Sequence, residues 1–373
     1  MHNIYLDNNA TTNILPEVWA YMSEFVSKPM NSSSVHNLGR EARKYIENAK
    51  DIICKSLNIN KNDYRIIFTS SGTETNNWVV NYIENVKVIT SKTEHASILN
   101  SREDLMLIDV DNNGHIDLNQ LEVEIQKHNK PLVSVMYANN ETGVIQDIVK
   151  IREITKKYGA MLHSDMIQAV GKVKVDLASL DLDAFTLSSH KIHGAQGVGA
   201  LFIKRGIPLA PMHKGGGQNQ GLRAGTENTI GIIGMAKAIE IAVSNIDSYT
   251  SICVDNQKFL ETEILKRKGA KIISQGSKRL PNTSLIYMPD VPNETQLISF
   301  DMAGIAISSG AACSSGKIAA SHVLLAQGMN ESEARCVVRV STSQFTTKNE
   351  IEEFIKVWDE IYQKNVKTEE ICR

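Results

Sequence analysis

Two reactive side chains stand near the ends of neighbouring apolar runs close to the middle of the chain. Asp165 ends the run 161–165, and Lys191 closely follows the run 185–188. A buried carboxylate is costly unless a cation meets it, and a protonated pyridine nitrogen is one such partner. A lysine amine can in turn form a Schiff base with an aldehyde. The alternative interpretations are a helix cap for Asp165 and a solvated surface charge for Lys191.

The segment 68–74 combines small residues, hydroxyls and Gly72 at the predicted start of a helix. Free backbone N–H groups and the positive end of the helix dipole favour an anion there, and a phosphate fits. An ordinary N-cap on Ser or Thr is the alternative. The glycines at 194–199 have the wrong spacing for a dinucleotide fingerprint, and Gly316-Lys317 lacks the rest of a P-loop. Hydride transfer and ATP hydrolysis are therefore disfavoured.

The chain has five cysteines, and their wide spacing suits neither a disulfide framework nor paired zinc ligands. One of them, Cys313, stands in a run of small residues, 308–316, whose composition predicts a mobile loop. A thiol in such a loop can act as a nucleophile if neighbouring groups favour its thiolate form. Helical or strand patterns predict structural roles for Cys54, Cys253 and Cys336.

Short apolar runs that end in polar or glycine turns alternate with helical patterns over the first part of the chain. The helical patterns include 75–83 and 148–158. This alternation predicts an α/β fold with a largely parallel sheet covered by helices. The predicted strands are 65–69, 86–90, 105–110, 132–137, 161–165, 185–188 and 199–203.

The pattern changes after the amphipathic stretch 230–243, where shorter strands indicate a smaller α+β domain. The predicted elements of this part are helices at 255–268 and 348–363 and strands at 284–288, 305–308 and 337–341. We therefore assign 16–250 to a large domain and 251–373 to a small domain that carries the cysteine loop, with 1–15 associated with the small domain. A ligand cleft is expected at the carboxyl ends of the parallel strands.

The composition is that of an ordinary globular protein. Hydrophobic residues make up 42% of the 373 residues, and 40 Lys and Arg balance 42 Asp and Glu for a net charge of -2. Neither disorder nor a polyanionic partner fits these values, so we expect a small-molecule substrate and no direct nucleic-acid contact. The sequence shows no secretory signal and no apolar stretch of the roughly 20 residues that span a bilayer. We therefore expect a cytoplasmic protein without membrane contact.

Taken together, these residues resemble the cysteine desulfurases of the NifS/IscS type, which are pyridoxal 5'-phosphate (PLP) enzymes of the class V aminotransferase group. The resemblance covers nearly the full chain. It implies PLP-dependent transferase fold type I, with a mainly parallel seven-stranded sheet flanked by helices and a smaller α+β domain. It also implies a homodimer with active sites at the subunit interface. The motifs that carry it are 5–12, 70–77, 93–95, 139–143, 163–168, 188–199, 215–228, 308–316 and 338–342.

The resemblance implies a role toward PLP for several motif residues. Lys191 would hold the cofactor covalently, and Asp165 would keep its ring nitrogen protonated. Gln168 would bond the ring hydroxyl, and His95 would stack on the ring face. The implied phosphate ligands are Gly72, Thr73, Ser188 and His190, joined by Thr226 from the second subunit.

The resemblance also implies a reaction in which L-cysteine becomes L-alanine and its sulfur moves to Cys313 as a persulfide. Lys191 would remove the α-proton, and His95 would handle the thiol proton. Asn139, also counted among the cofactor-binding residues, and Arg339 would orient the substrate carboxylate. The persulfide sulfur would then pass to an acceptor protein, such as an iron–sulfur scaffold or a tRNA-thiolation carrier.

Three alternatives stay open from the sequence. A selenocysteine lyase or β-eliminating lyase has the same fold, although the intact loop around Cys313 argues against a pure lyase. A weakly active homologue that binds partner proteins would be expected to lack Lys191, Asp165 or Cys313, and all three are present. A metal bound by His190 and His193 lacks an evident third ligand, so capping or phosphate contact is favoured and no metal is expected.

Overall fold

The computed structural model describes residues 4–83, 86–310 and 320–371. The strands are β1 Ile4–Tyr5, β2 Tyr64–Thr69, β3 Val88–Ser91, β4 Met106–Ile108, β5 Leu132–Ser134, β6 Met161–Asp165, β7 Ala184–Ser188, β8 Gly199–Lys204, β9 Lys271–Ile272, β10 Thr283–Tyr287, β11 Ile305–Ala306 and β12 Val337–Ser341. The predicted loop residues around Cys313, and Cys372 near the end of the chain, lie outside the described residues.

The helices alternate with these strands through the first two thirds of the chain. They are α1 Pro16–Ser23, α2 Asn37–Ser56, α3 Gly72–Tyr82, α4 Ala96–Leu99, α5 Leu118–Gln126, α6 Ile148–Lys157, α7 Leu177–Leu180, α8 Thr229–Ser244, α9 Ile246–Ile264, α10 Asn293–Met302, α11 His322–Ala326, α12 Glu331–Ala334 and α13 Lys348–Ile371. Two 3₁₀ helices cover Ser189–Lys191 and Gln218–Gly221.

One seven-stranded sheet dominates the fold, in the order β2-β8-β7-β6-β5-β3-β4. Its strands pair in parallel except for β8, which is antiparallel to both neighbours. Along β2, Ile66 and Phe68 belong to one apolar core and Ile67 to another. Side chains of successive strand residues point to opposite faces, so both faces of the sheet are covered. All seven strands predicted from apolar runs are present, and the α/β class is confirmed.

Strand β5 ends at Ser134, earlier than the predicted run 132–137. The following chain still lies beside β6, because Val135 N donates to His163 O (3.1 Å) and Tyr137 N to Asp165 O (2.9 Å). These two bonds hold residues 135–137 beside β6 as far as the carboxyl end of that strand. Residues from this segment reach the cavity described below.

A second, antiparallel sheet has the order β12-β10-β9. The apolar core beside it includes the stacked pair Phe300 and Phe354, whose ring centroids are 4.7 Å apart, and Trp358. Leu6 belongs to the same core, and β1 pairs in parallel with β11. The start of the chain is therefore held between the two sheets. The division into domains at the boundaries given above stays a prediction.

Helix α9 begins at Ile246, nine residues before the pattern at 255–268 predicts. Only Asn245 separates it from α8, and the two helices meet at a bend of 68°. Within 4–83, 86–310 and 320–371, no single helix is both long and apolar enough to cross a membrane, and this bent pair meets that test only when its two helices are taken together.

Candidate active site

A cavity of about 250 Å³ lies at the carboxyl edge of the large sheet. Strands β6 and β7 end there, and the segments that follow β2, β3 and β5 complete its wall. This is where ligands bind in open α/β sheets. The sequence-predicted residues that line it are Gly72, Thr73, His95, Asp165, Gln168, Ser188, His190 and Lys191.

Asp165, the last residue of β6, is only 7% exposed. Its Oδ2 accepts a hydrogen bond from Asn76 Nδ2 (2.7 Å), and its Oδ1 accepts one from Ile167 N (2.9 Å). Burial raises the pKa of Asp165, and the bonds from Asn76 and Ile167 oppose that rise because they stabilise the charged form. A cationic ligand atom in the cavity would complete the pairing of this carboxylate.

Lys191 ends the 3₁₀ helix after β7, and its Nζ donates to the carbonyls of Asn9 and Ala10 (2.6 Å each). Burial, reinforced by the positive charge of Arg339, lowers the pKa of Lys191 to about 8. A substantial fraction of the amine is therefore neutral at slightly alkaline pH. Only the neutral amine can attack an aldehyde or accept a proton.

His95 precedes α4 and caps it, because its Nδ1 accepts a hydrogen bond from Ser97 N (3.0 Å). A backbone N–H is always the donor, so this bond assigns the proton of the neutral ring to Nε2. Burial lowers the pKa of His95, with the charge of Asp165 acting in the opposite direction. The imidazole therefore presents an N–H to its surroundings from Nε2.

The start of α3 forms an anion cradle at one end of the cavity. Ser71 Oγ caps the helix by accepting from Glu74 N (3.1 Å), whereas the N–H groups of Gly72 and Thr73 have no partner inside the helix by their position. A Cβ on Gly72 would lie 2.3 Å from Ile167 Cδ1, so a larger residue there would require the Ile167 side chain to move. Ser188 Oγ is buried without a hydrogen-bond partner among the described residues and lines the same cavity.

Burial keeps two other histidines of this region uncharged, and the role predicted for His190 toward the phosphate stays a prediction. His190 Nδ1 lies 3.0 Å from Thr11 Oγ1, and burial lowers the pKa of His190 to about 4. His163 bridges Ser134 Oγ (2.9 Å) and Thr186 Oγ1 (3.0 Å) inside the sheet, and burial lowers its pKa to about 3. No group of three or more metal-binding side chains is found in the part of the chain that the structure describes.

Three predicted residues do not line the cavity. The Asn139 amide is used inside a turn, where Oδ1 accepts from Glu141 N (2.8 Å) and Nδ2 donates to Thr93 O (2.9 Å). Asn140 lines the cavity instead. Arg339 is buried behind the wall, and Thr226 is exposed. The roles predicted for Asn139, Arg339 and Thr226 stay predictions.

Arg339 is held by the N-terminal segment and by the turn after β5. Its Nη2 pairs with Asp7 Oδ1 (2.6 Å), and its Nη1 donates to Asn140 O (2.8 Å). Its Nε is buried without a partner among the described residues. Nε is therefore a guanidinium nitrogen whose donor a carboxylate could use.

The sequence did not assign roles to two residues that organise the site. Asn76 links Asp165 to Ser97, whose Oγ accepts a second bond from Asn76 Nδ2 (2.9 Å). Asn9 offers its carbonyl to both Lys191 and Gln168. Both residues belong to motifs 70–77 and 5–12 that carry the resemblance, and that membership is the only signal that pointed to them.

Comparison with known proteins agrees with this geometry. The family model described as Aminotransferase class-V matches residues 4–354. The chain belongs to the class V aminotransferase family. The enzymes of this family depend on PLP, so the expected cofactor is confirmed at the level of the family.

Curated relatives of this class V aminotransferase align over nearly the whole chain. A protein named cysteine desulfurase from Sinorhizobium fredii is 38% identical, with 98% of this chain and 97% of the relative covered. Cysteine desulfurase IscS of Dictyoglomus turgidum is 35% identical, with coverage of 97% and 95%.

Solved structures place the fold in the same group. A NifS-like protein from Rickettsia africae superposes with a TM-score of 0.92 at 39% identity, covering 97% of this chain and all (100%) of that chain. The structure of SspA in complex with cysteine superposes with a TM-score of 0.78 at 26% identity, with coverage of 92% and 100%. The NifS/IscS resemblance stated from the motifs is confirmed.

The cavity residues of this class V aminotransferase fit PLP. Asp165 is a buried carboxylate whose partners are all neutral hydrogen-bond donors, which suits a protonated ring nitrogen. The α3 cradle and the unpartnered Ser188 hydroxyl suit a phosphate. Lys191 supplies an amine of lowered pKa at the far side of the same cavity.

Proposed function

We propose that this protein is a cysteine desulfurase that converts L-cysteine to L-alanine and takes up the sulfur. The observation that carries the proposal is the convergence of Lys191, Asp165 and His95 on one cavity, in a chain whose full-length relatives are named cysteine desulfurase. The alternative of an inactive homologue is disfavoured by this convergence, because each of the three groups has the partners and burial that its role requires.

Bound PLP supplies an aldehyde carbon and an electron-accepting ring. Lys191 then acts on the substrate α-carbon: its amine, of lowered pKa, accepts the α-proton at Nζ. Asp165 holds a positive ring nitrogen in place and so maintains the electron-accepting character of the ring. Arg339 orients the substrate carboxylate through the guanidinium N–H that is not used by Asp7 or Asn140.

His95 acts at the substrate sulfur. Its neutral ring carries the proton on Nε2, so it donates a hydrogen bond from Nε2 to the substrate sulfur and makes that sulfur less negative toward the Cys313 thiolate. The predicted handling of the thiol proton by His95 stays a prediction, and it would involve Nε2 because Nδ1 is bonded to Ser97 N.

Cys313 receives the sulfur. Its thiolate attacks the substrate sulfur, an S–S bond forms and the C–S bond breaks, and the electron pair of that bond stays with the three-carbon fragment. This fragment takes up one proton at the β-carbon and regains the α-proton from Lys191 Nζ, which gives alanine. The persulfide then passes its outer sulfur to an acceptor protein, for which an iron–sulfur scaffold or a tRNA-thiolation carrier is proposed, in a cytoplasmic homodimer.

The test measures two products from the purified, PLP-loaded protein. L-cysteine with a reductant should yield alanine and sulfide in equal amounts. Cys313→Ala should keep PLP and lose sulfide release, whereas the matched control Cys336→Ser, which keeps the hydrogen bond to Ser332 O, should retain both products. If Cys313→Ala releases sulfide at the parental rate, the protein is a lyase and the persulfide route is wrong. Size-exclusion chromatography tests the dimer.

A further inference from the structure

A second buried amine lies beside the cavity, on Lys172. The residue follows the turn after β6, and its side chain is only 3% exposed. Its Nζ donates to Asn9 Oδ1 (2.8 Å) and to Gln168 Oε1. Among the described residues, no Asp or Glu carboxylate forms an ion pair with it. A buried amine whose hydrogen-bond acceptors are two side-chain amides is costly, and such groups need a reason to be kept.

The charged groups around Lys172 do not compensate for its burial. Lys191 and Arg339 face it with like charge, and Asp7 and Cys253 act in the opposite direction more weakly. Burial, with these two positive neighbours, lowers the pKa of Lys172 well below its usual value. Charged or neutral, the amine has at least two N–H groups, which is the number that its two amide acceptors require.

Hydrogen bonds to both ends of its amide fix the orientation of the Gln168 side chain. Gln168 Nε2 donates to the carbonyl of Asn9 (3.0 Å), and Oε1 accepts from Lys172. Asn9 is fixed in the same way, because its Nδ2 donates to Asn140 O (3.2 Å) and its Oδ1 faces Lys172. The amide of Gln168 therefore cannot rotate without breaking a bond at both ends. Its second Nε2 hydrogen has no acceptor among the described residues and is available to a ligand in the cavity that Gln168 lines.

We propose that Lys172 is a positioning residue that locks the Gln168 amide so that it offers an N–H, and never a carbonyl oxygen, to the ring oxygen of PLP. The inference rests on the proposed function for the identity of the cofactor. A ring hydroxyl or phenolate accepts such a bond, whereas a rotated amide would place one oxygen against another. Without Lys172, Gln168 Oε1 loses its donor, and only the bond from Nε2 to Asn9 O still opposes rotation of the amide.

The test compares the binding of two ligands to the parent protein and to a variant of Lys172. Apo-protein is titrated with PLP and with 3-deoxypyridoxal 5'-phosphate, which lacks the ring hydroxyl, and both affinities are measured by fluorescence. The parent should bind PLP about 10-fold more tightly than the analogue. Lys172→Met should lose most of this preference while its affinity for the analogue stays near the parental value. The control Lys204→Met removes a partly buried lysine that pairs with Asp181 and Asp183 and should keep the full preference.

Each other outcome overturns the proposal. Equal losses of affinity for both ligands would show that Lys172 only supports the fold, and an unchanged preference would show that Gln168 needs no lock. If Lys172→Met does not fold, Lys172→Leu gives the same comparison, because leucine has no donor for Gln168 Oε1. Failure of the proposed function is a separate result: the parent would then bind PLP with the expected preference but make no alanine from cysteine.

Discussion

The side-chain amide of Asn76, on α3, donates a 2.7 Å hydrogen bond to Oδ2 of Asp165 at the end of β6. The same Nδ2 group also reaches Ser97 Oγ. Asn76 therefore connects the carboxylate meant for the ring nitrogen with the residue that fixes the His95 ring. Two parts of the site, one for the cofactor ring nitrogen and one for the substrate sulfur, share this one buried amide.

Replacement of Asn76 should weaken cofactor binding. In Asn76→Ala, Asp165 loses a donor that stabilises its charged form, so its pKa rises further and it pairs less well with a cationic nitrogen. We expect the affinity of the apo-protein for PLP to fall about 10-fold, measured by absorbance titration. Asn81→Ala, on the exposed side of the same helix, is the control and should bind as the parent does. Unchanged affinity in Asn76→Ala would contradict the role of Asn76.

The capture of PLP by the apo-protein should depend on the pKa of Lys191. Only the neutral amine attacks the aldehyde, so the rate of loading should rise with pH and level off above a midpoint near pH 8, where the pKa of Lys191 lies. Stopped-flow absorbance measures the rate. A midpoint near that of a free lysine, about 10.4, would mean that the cavity does not lower the pKa.

Arg339 should contribute to the pH midpoint of PLP loading. Its positive charge lowers the pKa of Lys191, so Arg339→Gln should move the loading midpoint upward by up to about one pH unit. The loss of Arg339 also frees the negative charge of Asp7, which acts in the same direction. Arg205→Gln, an exposed arginine bonded to Asn62 O, should leave the midpoint unchanged. A downward shift in Arg339→Gln would reverse the assigned sign.

His163 should make the protein sensitive to acid. Burial lowers its pKa to about 3 in the folded state, whereas an unfolded chain takes up the proton near pH 6.5. The unfolded state therefore binds more protons as the pH falls from 6.5 to 3, and the free energy of unfolding drops by up to about 1.4 kcal/mol per pH unit on account of this residue. Urea unfolding at several pH values measures this slope.

The variant His163→Gln should be less stable near neutral pH, because it loses the contacts with Ser134 and Thr186, but its stability should fall less steeply in acid. The number of protons taken up on unfolding, which the slope of the unfolding free energy against pH reports, should decrease by close to one. The partly exposed His128 provides the matched control His128→Gln, which should keep the parental slope. An equal slope in His163→Gln and the parent would assign the acid sensitivity to other groups.

Gly310 should be essential for turnover but not for cofactor binding. Glu141 Oε2 accepts a hydrogen bond from Ser321 Oγ, and a Cβ on Gly310 would lie 2.2 Å from the same oxygen. Gly310 and Ser321 stand on either side of the segment that contains Cys313. Gly310→Ala should displace Glu141 and reduce alanine formation about 10- to 100-fold with PLP content unchanged. Gly276→Ala, where the nearest atom is 3.9 Å away, should be fully active.

The sequence predicted the parts of the molecule that are set by local pattern. Six of the seven strands are runs of largely buried residues that are covered on both faces, and such runs are visible without an alignment, whereas Leu107 of the edge strand β4 is exposed. The motif residues Asp165 and Lys191 follow two of these strands, so their meeting at one sheet edge could be expected. Both line the cavity in the structure.

Other features depended on contacts that the sequence does not show. Of the adjacent residues Asn139 and Asn140, the turn after β5 uses the first to bond its own backbone and leaves the second to face the cavity. The early start of α9 at Ile246 is supported by the burial of Tyr249 and Cys253 against the rest of the protein, within a mixed polar sequence. In both cases long-range packing, and not local preference, decides the outcome.

The position of Asn9 and Ala10 in the fold bears on how the protein is made. Asn9 N donates to Ser341 Oγ (3.0 Å), and its amide oxygen accepts from Asn282 (3.0 Å), so Asn9 can take its final place only after Ser341 has been synthesised and has left the ribosome. A nascent chain can form the large sheet earlier, but it lacks the two carbonyls that hold the Lys191 amine. We therefore expect PLP to bind only after synthesis has reached at least Ser341.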